Sequence, residues 1–186
     1  MHSKKTPITI IGAGLVGCFM AILLAKRGYK VSIYERSSKS EFDNPISSRS
    51  FNMTFQDFGT NSLKEAGVWE IIQSIILPLD GSITKVEKNA KPIFSRVAKD
   101  IPYFTVTRTS LAKKFVEYLQ QNPLVTFHFD MTLVSLNRYE KTLLFQHTKS
   151  KTQATVTYDF LLGADGINSQ VRMFLQQGRE MVLLGK

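Results

Sequence analysis

The segment that most restricts this chain lies close to its start. Gly12-Ala13-Gly14-Leu15-Val16-Gly17 fits the pattern G-x-G-x-x-G. It follows Pro7-Ile8-Thr9-Ile10-Ile11, an apolar run that reads as a short buried strand. It opens a stretch from Leu15 to Arg27 that reads as a helix, apolar on most faces and ended by Gly28. Lys30 to Glu35 then reads as a second strand, with Val31 and Ile33 alternating against polar neighbours. Strand, turn, helix and strand fill about thirty residues, the length a βαβ unit needs. An α/β fold built on a parallel sheet is therefore predicted.

Glycines alone would mark a turn and nothing more. Between a strand and a helix, with an acid at the end of the next strand, they form a dinucleotide fingerprint. Gly12 permits the tight turn, Gly14 lets a pyrophosphate approach backbone N–H groups, and Gly17 lets the helix pack on the strand. Ala13, Leu15 and Val16 complete the cradle. The helix N-terminus offers unpaired N–H groups and a positive dipole end to phosphates. Glu35 stands eighteen residues after Gly17. A carboxylate there accepts hydrogen bonds from ribose hydroxyls and repels a 2′-phosphate, so FAD or NAD fits this site and NADP does not.

The same region imitates a membrane signal, since Ile8 to Ala25 carries no charge and Lys4 and Lys5 precede it. The glycine spacing and the strand ending in Glu35 argue for a folded nucleotide site instead. One cysteine, Cys18, permits no internal disulfide and suits a reducing compartment, so a cytoplasmic location is expected. It reads as a small buried residue rather than a reactive thiol. His2, His128 and His147 are scattered, so no metal site is expected. The net charge of +9 is spread over several segments without a nucleic-acid motif, which suits anionic small molecules better than nucleic acid.

Further along, Ser37 to Asn44 reads as a polar loop before Pro45. Thr60 to Ile76 reads as a helix interrupted near Gly67, and Ser82 to Thr107 as short antiparallel strands, with Pro92 and Pro102 among them. Thr109 or Ser110 is placed to cap a helix running to Gln121. Leu124 to Phe129 reads as a strand. Thr132 to Arg138, Thr142 to Thr148 and Ala154 to Thr157 read as a meander. Tyr158 to Leu162 is a last apolar strand, followed by a loop from Gly163 and a helix from about Ser169. The expected architecture is a Rossmann-like parallel sheet interrupted by an antiparallel insertion, with no flexible linker between independent domains.

The second informative stretch is Gly163-Ala164-Asp165-Gly166-Ile167-Asn168-Ser169-Gln170-Val171-Arg172. It resembles the G-A-D-G-x-x-S-x-x-R motif of the group A flavoprotein monooxygenases, the p-hydroxybenzoate hydroxylase type. In that family the motif helps hold FAD and is linked to the nicotinamide cofactor. Three further stretches resemble the kynurenine 3-monooxygenases within it. They are Arg49-Ser50-Phe51-Asn52-Met53, the helix over Gly59 to Gly67 after it, and Thr105-Val106-Thr107-Arg108, while Glu35-Arg36 closes the second strand as in the wider group of hydroxylases. By this resemblance Arg36, Arg49, Arg108, Val134, Asp165 and Gly166 join the glycine cradle and Glu35 as FAD-binding positions. An arginine at 108 also makes independent sense, because its several N–H donors suit flavin or phosphate oxygens.

The resemblance runs from Ile8 to about Gln176 and departs at two points. The stretch Leu77-Pro78-Leu79-Asp80-Gly81-Ser82 lacks the arginine that grips a substrate carboxylate in kynurenine 3-monooxygenases, leaving Arg96 as a candidate. Tyr103 lies one place nearer to Arg108 than the family's tyrosine does. Kynurenine does not carry over as substrate on these residues.

The family's third motif, containing Gly-Asp, does not occur before Lys186. The expectation is an incomplete FAD-binding domain over 1–176, with strands at about 82–107 belonging to the substrate side, and a tail over 177–186. A bared core face would favour self-association, a homodimer being the simplest form. The implied activity is hydroxylation of an aromatic small molecule, with FAD as cofactor, NADPH as transient electron donor and O₂ as oxygen source. In this chemistry the cofactor reacts and the protein binds, orients and excludes water, so no catalytic acid or base is assigned. The alternatives are a non-catalytic FAD- or ADP-binding module that needs another chain, and a related reductase or halogenase.

Overall fold

The computed structural model describes residues 5–43, 51–84, 93–96 and 103–176. In chain order the elements are β1 (Ile8–Ile11), α1 (Leu15–Lys26), β2 (Val31–Tyr34), α2 (Lys39–Asp43), β3 (Asn52–Phe55) and α3 (Asp57–Ala66). Then come α4 (Trp69–Ile72), β4 (Leu77–Leu79), β5 (Gly81–Thr84), β6 (Ile93–Arg96), β7 (Tyr103–Thr107) and α5 (Arg108–Gln120). The last described elements are β8 (Val125–His128), β9 (Met131–Asn137), β10 (Thr142–His147), β11 (Gln153–Thr157), β12 (Phe160–Gly163) and α6 (Gln170–Gln176). It divides into two compact units, residues 1–45 with 115–186, and residues 46–114. The inserted unit is thus wider than the strands expected at about 82–107.

The first unit is built on a parallel sheet in the order β12-β1-β2-β8. The βαβ unit read from the sequence forms its centre. All four residues of β1 are buried, as a central strand covered on both faces requires. The buried residues of α1 are Gly17, Cys18, Ala21, Ile22 and Ala25, mostly small side chains that allow close approach. Gly28 at φ 80° ends the helix as expected, its N–H donating to the Ala25 carbonyl at 2.8 Å.

A three-stranded antiparallel meander, in the order β11-β10-β9, belongs to the same unit. Leu133, Leu143 and Phe145 of the meander join Ile11, Tyr34 and Val171 in one buried cluster. Alternation along a strand cannot put both Leu133 and Leu136 on this cluster, because three steps reverse the face. The chain solves this with a bulge. Leu133 pairs with Phe145 and Ser135 with Leu144, and Val134 is left without a partner in the register. A ring stack ties meander to sheet: Tyr34 lies 4.3 Å from both His128 and Phe145, each at 10°.

The second unit holds a sheet in the order β3-β7-β4 and the hairpin β5–β6. Phe104 on β7 contacts the rings of Phe55 and Trp69. Neither β3 nor β4 was expected from the sequence. Each has three or four residues and exists through antiparallel pairing with β7, a partner distant in sequence for both.

Two local expectations are corrected. The loop expected over Ser37 to Asn44 contains the short helix α2, a single turn too brief to show periodicity. The cap of α5 is Thr107, not Thr109 or Ser110, since the Thr107 hydroxyl accepts from the Ser110 N–H at 3.1 Å. Arg49, the prolines at 92 and 102, and the tail over 177–186 lie outside the described residues. Among the described residues no helix is long and apolar enough to cross a membrane.

The meander should depend on its fully buried ring. Phe145→Ala is expected to lower the unfolding free energy by about 3–5 kcal/mol, read from the denaturation midpoint; a loss under ~1 kcal/mol would contradict this packing.

Candidate functional site

The two motifs meet at the carboxyl ends of β1 and β12. Gly12 adopts φ 103°, a conformation that L side chains rarely take. A Cβ there would stand 2.6 Å from the Ala164 carbonyl oxygen. A Cβ on Gly17 would stand 1.9 Å from the carbonyl oxygen of Gly12. These two glycines are therefore required by backbone packing. The Ala164 N–H donates to the Ile11 carbonyl at 2.8 Å and fixes the second motif beside the first.

Gly14 differs from both. It precedes α1 with φ −69° and ψ −177°, a geometry open to any residue. A Cβ on it would meet nothing within 4 Å. No side chain caps the helix at Gly14. Its position thus keeps free the space in front of the first-turn N–H groups, where an anion is stabilised. Leu15 begins the helix and Val16 is 67% exposed.

Glu35 follows β2 and is buried. Its Oε2 accepts from the Ala13 N–H at 2.7 Å and its Oε1 from the Ser37 N–H at 2.9 Å. The carboxylate thus joins the glycine loop to the end of the second strand. Cys18 donates its thiol to the Ala13 carbonyl at 3.2 Å, so Ala13 is held at both its polar groups. Burial, with the charge of Glu35 adding to it, pushes the Cys18 thiol up to about 12.

In the second motif, every fixed position has a local task. A Cβ on Gly163 would stand 2.9 Å from Val171. The Asp165 carboxylate accepts from the Gln170 N–H at 2.6 Å, the Val171 N–H at 3.1 Å and the Ser169 hydroxyl at 2.6 Å. Gly166 takes φ 83°. The Ser169 hydroxyl accepts from the Arg172 N–H at 3.0 Å, capping α6, and the Arg172 guanidinium donates to the Ile167 carbonyl. Asp165 thus shapes the loop and starts α6. The sequence marked it as a cofactor residue and did not reveal this capping role.

Arg36 is exposed next to Glu35. Val134 sits at the bulge of β9 and is 38% exposed. Arg108 belongs to the second unit, where it starts α5; its side chain is exposed and its N–H donates to the Phe51 carbonyl at 3.1 Å. Arg49 lies outside the described residues, and of Arg96 only the backbone is described.

A glycine cradle at the carboxyl end of a central parallel strand, tied to an acid at the end of the next, defines a dinucleotide-binding α/β domain. The comparisons specify which: residues 5–182 match the FAD binding domain family, and the chain belongs to it. Kynurenine 3-monooxygenase of Phaeosphaeria nodorum is 32% identical over 91% of this chain and 38% of its own length. The enzyme of the same name from Christiangramia forsetii is 29% identical over 94% of this chain and 38% of its own. The chain therefore spans well under half of these relatives. Among solved structures, p-nitrophenol 4-monooxygenase PnpA from Pseudomonas putida superposes with a TM-score of 0.75 at 16% identity, covering 91% of this chain and 43% of that one. The flavin-dependent monooxygenase PieE, in complex with FAD and substrate, gives 0.76 at 18%, covering 91% and 32%. The fold is that of p-hydroxybenzoate hydroxylase-like FAD-dependent monooxygenases.

The Cys18 shift makes a signed prediction. Its folded-state value lies above the unfolded value of 9.0, so its contribution is intact below pH 9 and is lost as pH rises toward about 12. Wild type should lose stability faster than Cys18→Ala over that range, by up to about 1.4 kcal/mol per pH unit. Parallel pH profiles for the two proteins would contradict the burial of this thiol.

Proposed function

We propose that this chain is the FAD-binding part of a flavoprotein monooxygenase that hydroxylates an aromatic substrate with NAD(P)H and O₂. The observation that carries the proposal is the open start of α1. Space is kept free at Gly14, no side chain caps the helix, and Glu35 stands one hydrogen bond from Ala13. In this reading the N–H groups of Leu15, Val16 and Gly17 receive the FAD diphosphate, within the cradle from Gly12 through Ala13 and Gly14. Glu35 accepts from ribose hydroxyls, and Arg36 lies beside it to meet the nucleotide. The bulge at Val134 offers backbone groups outside the strand pairing. Gly166, on the loop shaped by Asp165, completes the nucleotide side. Arg49 and Arg108 serve the flavin by resemblance.

When bound, FAD would supply the redox chemistry that couples NADPH and O₂ to hydroxylation of an electron-rich ring. The chain's own residues bind and orient it. Relatives are named for kynurenine, but the stretch from Leu77 to Ser82 has no arginine to take its carboxylate. The proposal therefore extends to the aromatic class. A single buried and unpaired thiol suits the cytoplasm.

The test is a visible-absorbance titration of the chain with FAD. The flavin bands should shift on binding. Gly14→Val should weaken affinity at least about 100-fold with the melting temperature unchanged, because its side chain enters space the fold leaves empty. Undiminished binding in this variant would place the nucleotide elsewhere. Bound flavin without NADPH oxidation on adding aromatic acids, in the longest form of the protein, would favour the non-catalytic module.

A further inference from the structure

We propose that Asp130 is a positioning residue for nucleotide binding: the turn it shapes holds Glu35 and Ser37 where ribose hydroxyls are received. The inference rests on the FAD site proposed above and concerns a residue with no place in that site's motifs.

The path starts at the backbone of Glu35. Its N–H donates to the His128 carbonyl at 2.9 Å, and its carbonyl accepts from the Met131 N–H at 2.8 Å. Two residues later, the Ser37 carbonyl accepts from the Asp130 N–H at 3.2 Å. The four-residue turn His128–Met131 therefore grips the chain at both Glu35 and Ser37. The Ser37 N–H in turn donates to Glu35 Oε1 at 2.9 Å. Where the turn places Ser37 thus decides how the carboxylate points.

The shape of this turn depends on Asp130. β8 runs parallel to β2, with His128 beside Tyr34. The chain must then leave the parallel sheet and still return Met131 to the Glu35 carbonyl. Asp130 achieves this with φ 60°, a left-handed conformation that is unfavourable for most residues and tolerated best by Gly, Asn and Asp. The neighbouring hairpin holds it there. The Thr148 hydroxyl donates to Asp130 Oδ1 at 3.0 Å, and the Thr148 N–H donates to the Asp130 carbonyl at 2.8 Å. Lys149 Nζ lies 3.7 Å from the same Oδ1. Lys141 and Lys151 also have positive φ, but they serve hairpin reversals within the meander. Asp130 directs its N–H to the segment carrying the ribose acid. A left-handed residue fixed by several bonds beside a binding group is where backbone strain tends to serve function.

The experiment compares ADP with 2′,3′-dideoxy-ADP, which lacks the ribose hydroxyls, by calorimetric titration of the chain. Wild type should prefer ADP by at least about 10-fold, the weight of hydrogen bonds to a charged group. Asp130→Ala should reduce this preference to within about threefold while leaving dideoxy-ADP affinity within about twofold of wild type. Asp130→Asn, which keeps the acceptor and tolerates the left-handed backbone, should restore the preference. Adding Glu35→Gln to Asp130→Ala should change the ratio little further, since both act through one carboxylate. An undiminished preference in Asp130→Ala, or an equal loss of both nucleotides there, overturns the inference alone. No preference in wild type overturns the Glu35 reading as well.

Discussion

Backbone lies directly against backbone where Gly12 meets Ala164, and the rest of the site depends on that contact. The two segments are far apart in sequence, yet a single methyl group at Gly12 would stand 2.6 Å from the Ala164 carbonyl oxygen. Gly17 repeats the demand from the helix side, with its own absent Cβ 1.9 Å from Gly12. Parallel pairing of β12 with β1 brings the strands together, and the missing side chains let their following loops close. Both loops then emerge at the carboxyl edge of the sheet, where ligands of open α/β folds bind. The shape of the glycine loop is thus a consequence of close packing, which requires its first and third glycines.

How much of this was legible follows from the range of each interaction. The βαβ centre showed in the sequence because its signals are local: an apolar run, three spaced glycines, a helix ended by Gly28 and an acid at 35. The meander showed because its strands are long enough to alternate. β3 and β4 did not, because strands of three or four residues carry almost no periodicity and exist through β7. The bulge at Val134 left only a faint trace, the odd spacing between Leu133 and Leu136, both of which pack on one cluster. The second motif is recognisable as a whole, but its internal logic lies in the folded structure. There the Asp165 carboxylate turns back to the N–H groups of Gln170 and Val171 in α6.

The site residues divide along the same line. Gly12, Ala13, Gly17, Glu35 and the loop at Asp165 are brought together by the first unit. Arg108 stands in the second unit, at the start of α5. Its role was read from resemblance, and no local pattern in the sequence distinguishes it from an ordinary surface cation.

In the function proposed above, Glu35 would serve both fold and ligand. An ionised carboxylate offers about four lone-pair sites. Ala13 and Ser37 each supply one N–H donor, one to each oxygen, which leaves about as many sites again for ligand donors. On that reading ribose hydroxyls would add without displacing the bonds that shape the loop, to an acid those bonds already orient. Such preorganisation lessens the ordering that binding must otherwise impose. A phosphate on the same ribose would bring negative charge instead of a donor, against the carboxylate of a residue only 9% exposed to water. On the proposed reading, selection of FAD over a 2′-phosphorylated nucleotide at this position would follow from the acid that also closes the glycine turn.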